Sequence, residues 1–199
     1  AAEAQNSLEE LLSGISEGQK IREGISIVIV GRPNVGKSSL LNCFLQEERA
    51  IVTEIPGTTR DVIEAQFQLK GIPIRLYDTA GLRFTENPIE RIGIRKTEQY
   101  IDEADLLLFI LNGNEPFTGE DENIYSKLLA KTKSRQSRII VVINKTDLPR
   151  RLNIEKSSIL ASATSVELSA LTGAGFSDLE QTIVNTVGLG EIQVNNRPL

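Results

Sequence analysis

The stretch GRPNVGKSS, Gly31 to Ser39, constrains this chain more than any other. It follows ISIVIV, Ile25 to Val30, a run so apolar that it reads as a strand buried on both faces. It runs into the helical segment GKSSLLNCFL. The pattern G-x-x-x-x-G-K-[ST] between a strand and a helix is that of a loop that wraps phosphate groups. Its glycines let backbone N–H groups approach the phosphate oxygens, and the helix N-terminus adds positive potential. Asn34, Val35, Gly36, Lys37, Ser38 and Ser39 are the expected phosphate contacts. Lys37 would reach the outer phosphates, and the Ser38 hydroxyl would ligate magnesium, which keeps most of its waters and takes few protein ligands.

The rest of the chain alternates between the two periods. SLEELLSGI has helical spacing at Leu8, Leu11, Leu12 and Ile15, with Ser7 and Glu10 forming a capping box and Gly24 ending the segment. RAIVTEIPGTTRD has no period and reads as a loop. VIEAQFQLKGIPIRLYD alternates on both sides of Lys70-Gly71, which predicts an antiparallel hairpin. Pro73 within it suits an edge or an irregularity better than a central strand. A helix around Ile89–Ala104, a strand LLLFIL, a helix around Asp121–Lys131 and a strand RIIVVIN follow. A short strand near SVELS and a last helix with Phe176, Leu179, Ile183 and Val187 on one face complete the pattern. Strands alternating with helices predict an α/β fold with an open, mostly parallel sheet covered on both faces.

Composition excludes several chemistries. The chain has no histidine, so it offers neither a histidine-based triad nor a histidine metal site. Cys43 is the single cysteine, which rules out an internal disulfide and fits the cytoplasm. The longest apolar runs are too short to span a bilayer, and no membrane partner is expected. The acidic N-terminal stretch does not read as a signal peptide. A net charge of -5 argues against tight nonspecific binding of nucleic acid. With no methionine, the chain reads as a piece of a longer protein.

NKTD, Asn144 to Asp147, directly follows a predicted strand. A carboxylate at Asp147 can accept the ring N–H and the exocyclic amine of guanine, a pair of donors that adenine lacks. The Lys145 stem can cover the base, and in LSAL the residues Ser169 and Ala170 follow at a distance that lets the Ala170 N–H read the guanine carbonyl. GTP rather than ATP is therefore the expected nucleotide.

The ordered set GRPNVGKS, GTTRD, DTAG, NKTD and SA resembles the GTP-binding domain of translation-factor-related GTPases. AIVTEIPGTTRDVIE, DTAGLR, IERIGIRKT and IDEADLLLFILN narrow the resemblance to the MnmE (TrmE) family of tRNA-modification GTPases. It extends from GQKIREGISIVIVGRPN to the last helix. It implies a Ras-like domain with a six-stranded, mostly parallel sheet and one antiparallel edge strand. In that family the whole protein has a folate-binding domain and a helical domain into which the GTPase domain is inserted. Residues 1–24 and 189–199 then look like ends of the helical domain, flanking a GTPase domain of residues 25–188.

The family pattern also implies roles. Leu82 stands where Ras-type GTPases carry the glutamine that orients the attacking water, and an alkyl chain cannot do that. The resemblance implies Glu90 for the task, through a bridging water; its residue-level alternative is a solvated carboxylate in a helix first turn. It implies potassium held by Asn34, Thr53, Thr58 and the Ile55 carbonyl; for Asn34 the alternative is a turn former beside Pro33. Thr59 is the expected second magnesium ligand, Asp78 would hold magnesium through a water, and the Gly81 N–H would touch the third phosphate. The family further implies two GTPase domains meeting face to face. It also implies a flavoprotein partner, MnmG, with which the parent modifies the wobble uridine of tRNA. Two rivals share these motifs: a Der-type ribosome-assembly GTPase and a binding module in which GTP only switches a surface.

Overall fold

The computed structural model describes residues 24–47, 64–78, 98–132, 138–154 and 159–187. Among the described residues, six strands form one sheet: β1 (Ile25–Val30), β2 (Glu64–Leu69), β3 (Ile72–Asp78), β4 (Leu106–Asn112), β5 (Arg138–Asn144) and β6 (Thr164–Glu167). Their order across the sheet is β2-β3-β1-β4-β5-β6, and every neighbouring pair is parallel except β2 with β3. Among the described residues, the helices are α1 (Lys37–Glu47), α2 (Gly119–Thr132) and α3 (Phe176–Thr186), with a further helical stretch at residues 98–103. This is the expected mostly parallel α/β sheet with one antiparallel edge. The segment at residues 7–24 that reads as a helix, and the start of the one around Ile89, lie outside the described residues apart from Gly24.

Period-two alternation assigns the two faces. Ile25, Ile27 and Ile29 of β1, Leu106, Leu108 and Ile110 of β4, and Ile140 and Val142 of β5 pack beneath α1 and α3. Val28, Val30, Leu107, Phe109, Leu111, Val141 and Ile143 face the other way, against Ile101 and α2. Phe44 of α1 stacks on Phe67 at 5.2 Å and meets Phe176 of α3 edge-on at 4.8 Å, so the hairpin and both helices share one anchor. On the opposite face Phe109 meets Tyr125 at 5.3 Å. Ser26, the polar residue in β1, is satisfied there: its N–H and hydroxyl donate to Asp105 Oδ2 at 2.9 and 2.8 Å.

The hairpin turns at Lys70 (φ 49°) and Gly71 (φ 84°), the left-handed pair that a two-residue turn between twisted strands requires. The reading of Pro73 needs correction. β3 is an interior strand, flanked by β2 and β1. Pairing with β1 begins at Ile25 opposite Ile74, so Pro73 sits just ahead of it and costs the parallel ladder nothing.

β1 lies between β3 and β4, and the chain leaves it for a helix on one face while it leaves β4 for a helix on the other. This divergence opens a crevice at the C-terminal ends of the strands, the place where open α/β sheets bind ligands.

Candidate functional site

The loop from Gly31 to Gly36 crosses that crevice. A Cβ on Gly31 would lie 2.6 Å from the Ile110 carbonyl of β4, so only glycine lets the loop start this close to the neighbouring strand. Asn34 (φ 62°) and Gly36 (φ 101°) bend the backbone through left-handed conformations before α1 begins. The N-terminus of α1 begins at the end of this loop and adds its positive potential there. Lys37 is buried, and its Nζ donates to the Gly31 and Arg32 carbonyls at 2.8 and 2.7 Å, spanning the loop's concavity. Ser38 and Ser39 are exposed on the first turn of α1. Backbone donors, a buried ammonium and an accessible hydroxyl suit a magnesium-bound polyphosphate.

The residues expected on the guanine side lie at the ends of β5 and β6. Asn144 is buried at 2% exposure and ties three segments together. Its Nδ2 donates to the Val35 carbonyl at 2.9 Å, and its Oδ1 accepts the Ala170 N–H at 2.9 Å. Its own carbonyl accepts the Gly113 N–H at 2.8 Å. Lys145, at φ 66°, reaches back so that Nζ donates to the Asn34 carbonyl at 2.8 Å. Asp147 is exposed, and the buried Ser169 donates its hydroxyl to Asp147 Oδ1 at 2.6 Å. That bond fixes the carboxylate plane while the group stays open to solvent, the condition for reading a base edge. The Ala170 N–H, expected at the guanine carbonyl, is held by Asn144.

The structure thus brings together Asn34, Val35, Gly36, Lys37, Asn144, Lys145, Asp147, Ser169 and Ala170. The β3 residue Asp78 ends its strand opposite Ile29 of β1, one strand from the phosphate loop. Thr53, Ile55, Thr58, Thr59, Gly81, Leu82 and Glu90 lie outside the described residues.

Two groups escaped the reading of the sequence. Arg32 reaches across to α2, where Nε donates to Asp121 Oδ1 at 2.7 Å. Burial opposes its charge, but the hydrogen bonds and attraction of Asp121 and Glu115 outweigh it and raise the guanidinium above its ordinary range. Cys43 is half-buried against the core and places Sγ 3.1 Å from the Ala170 carbonyl. The only signal for the first was an arginine inside a phosphate loop, and its partner is 89 residues away.

Comparison with known proteins decides the family. The family described as 50S ribosome-binding GTPase matches residues 26–145. The chain belongs to this GTPase family. Its curated relatives include the tRNA modification GTPase MnmE of Geobacter metallireducens, 48% identical over 94% of this chain and 39% of that protein. MnmE of Geobacillus kaustophilus is 46% identical over 96% of this chain and 40% of its own length. The chain therefore spans about two fifths of the curated relatives it matches. Among solved structures, Aquifex aeolicus Era bound to GDP.AlF4- superposes with a TM-score of 0.62 at 29% identity, over 83% of this chain and 57% of Era. The FeoB G domain of T. maritima, at 24% identity and a TM-score of 0.57 over 81% of this chain and 98% of its own, shares the fold. The GTPase family and the resemblance to MnmE are thereby borne out.

Proposed function

We propose that this chain is the GTP-hydrolysing domain of an MnmE-type tRNA-modification GTPase, with residues 25–188 as that domain between helical flanks. The observation that carries the reading is the Asn144 hub, which joins a phosphate loop to an acidic guanine reader, in a chain 43–48% identical to MnmE proteins. The ribosome-assembly alternative has support in the family's description and in the likeness to Era, but Era is only 29–31% identical.

In this reading Asp147 and Ser169 select guanine, and Lys145 covers the base. Lys37 and the N–H groups at the start of α1 neutralise charge that builds on the phosphate oxygens as the terminal bond breaks. Ser38 and Thr59 would hold magnesium, with Asp78 acting through a water, and magnesium would supply positive charge against the phosphate oxygens. The Gly81 N–H marks the third phosphate. Glu90 orients the attacking water through a second water, the task that Leu82 cannot perform. Asn34, Thr53, Thr58 and the Ile55 carbonyl would hold potassium, which would supply the positive charge that other GTPases take from an arginine. Two such domains meet face to face, and the parent protein acts on tRNA with the MnmG flavoprotein in the cytoplasm.

The test is GTP hydrolysis by the purified chain with magnesium, in potassium against sodium at equal ionic strength, for the wild type and Glu90→Ala. Potassium stimulation that is lost with Glu90→Ala, while nucleotide still binds, supports the assignment. Equal rates in both salts overturn the cation site, and unchanged turnover in Glu90→Ala overturns the role of Glu90.

A further inference from the structure

We propose that Arg32 is a positioning residue for the phosphate loop: pinned through its guanidinium to Asp121 at the start of α2, it presents its carbonyl to Lys37. The inference rests on the reading of Gly31 to Ser39 as the phosphate loop.

The guanidinium is gripped by two carboxylates. Nε donates to Asp121 Oδ1 at 2.7 Å, and an Nη donates to Glu115 Oε2 at 3.1 Å. Neither carboxylate is free to drift. Asp121 is 1% exposed, and its other oxygen accepts the Thr118 N–H at 3.0 Å and the Thr118 hydroxyl at 2.7 Å. Glu115 accepts a hydrogen bond at 2.7 Å from Asn112, the buried last residue of β4. The anchor therefore belongs to a strand end and a helix start, the rigid parts of the fold.

At the other end of Arg32, its carbonyl accepts Lys37 Nζ at 2.7 Å. One residue thus joins a fixed carboxylate cluster to the ammonium that faces the phosphates. An exposed ion pair would add little. This one has a buried partner, and removing the arginine leaves a carboxylate without its cation. Lysine at this place is a compact point charge and cannot reproduce a fork held by two carboxylates. The segment that supplies the anchor also braces the guanine side, through Asn114 Nδ2 on the Pro149 carbonyl at 2.7 Å. Among the described residues, Arg32 hydrogen-bonds to Asp121, Glu115 and Lys37.

The experiment compares wild type, Arg32→Ala and Arg32→Lys by the affinities of GDP and IDP, the phosphorus NMR spectrum of bound GDP, and melting temperature. IDP lacks the exocyclic amine, so the GDP/IDP ratio reports on Asp147 alone. Arg32→Ala should weaken both nucleotides by the same factor, about tenfold, because a charge-assisted anchor is lost while the base contacts remain. Arg32→Lys should recover part of that loss. The β-phosphate resonance should shift in both variants while the α-phosphate stays near its place. GDP affinity within about twofold of wild type in Arg32→Ala would overturn the proposal, since an anchor of this kind is worth more than that. So would an unshifted β-phosphate resonance, or a collapse of the GDP/IDP ratio, which would mean general damage. If Arg32→Ala does not fold, Arg32→Lys decides on the same readouts. Failure of the folded wild-type chain to bind GDP would overturn the phosphate-loop reading, and this inference with it.

Discussion

Gly36 and Asn144 are packed so closely that a Cβ on Gly36 would lie 2.1 Å from Asn144 Nδ2. Gly36 also holds φ at 101°, where a side chain is strained whatever the space. Gly36→Ala must displace the Asn144 amide, which releases the Val35 carbonyl and the Ala170 N–H together. The expected cost to GDP binding is about 2 kcal/mol, or roughly 30-fold in affinity. Titration of a fluorescent GDP analogue measures it, and wild-type affinity in the variant would show that the two loops are not held by this contact.

Removing the other partner should act even without nucleotide. Asn144→Ala leaves a buried carbonyl at Val35 and the Ala170 N–H without their partner. Each unpaired buried group costs about 1–3 kcal/mol. For a chain of this size, about 2–4 kcal/mol corresponds to a fall in melting temperature of roughly 4–16 °C. Scanning calorimetry of the nucleotide-free protein checks it. A melting temperature unchanged from wild type would confine Asn144 to a role in ligand binding.

Much of this architecture was legible in the chain because the signals are local. Alternation about Lys70-Gly71 shows the hairpin, since a left-handed pair between two period-two runs has few other uses. The buried runs of β1, β4 and β5 read as parallel strands because both of their faces are apolar. NKTD with the serine and alanine that follow reads as a candidate guanine site because it comes after a phosphate loop, and the structure joins these residues to one another. What was hidden depends on pairing across the fold. Pro73 suits an edge or an irregularity, and the register of β1 against β3 shows why an interior strand tolerates it. The Ala170 N–H was expected to face a ligand, but it also has an intramolecular acceptor 26 residues away. Arg32 and Asp121 are ordinary charged residues in sequence, and nothing local announces that one is the buried counterpart of the other.

Gly175 tests how the guanine loop is held from behind. It precedes α3 at φ 79°, and a Cβ there would lie 2.2 Å from the Glu167 carbonyl at the end of β6. The obstacle is backbone and cannot swing aside. Gly175→Ala should push α3 away from β6, which leads into Leu168 and Ser169. Strain of about 2–3 kcal/mol predicts a melting temperature lower by roughly 4–12 °C. Thermal unfolding followed by far-ultraviolet circular dichroism reads this directly. A fall of less than a degree would mean that the junction has room the geometry does not show.

Asp147→Asn should change which base is accepted. In the wild type, Ser169 occupies Oδ1 of Asp147 from one side, and the exposed carboxylate can accept two donors of guanine. Asparagine keeps one carbonyl acceptor, which Ser169 can still use, but replaces the other oxygen with a donating NH2 group. That group would meet the exocyclic amine of guanine donor to donor. Xanthine has a carbonyl at the same place and would accept the new hydrogen bond. Mismatching a hydrogen-bonding pair in a built site costs a factor of about 10⁴ in discrimination at the upper end. Exposure of the site reduces that, so GTP affinity should fall by about 10² and XTP affinity rise by about 10². Hydrolysis of XTP should appear at a rate close to that of GTP in the wild type, because the phosphate loop is untouched. Competition between the two nucleotides in both proteins gives the ratio. If Asp147→Asn still prefers GTP as strongly as the wild type does, the carboxylate is not what selects the base.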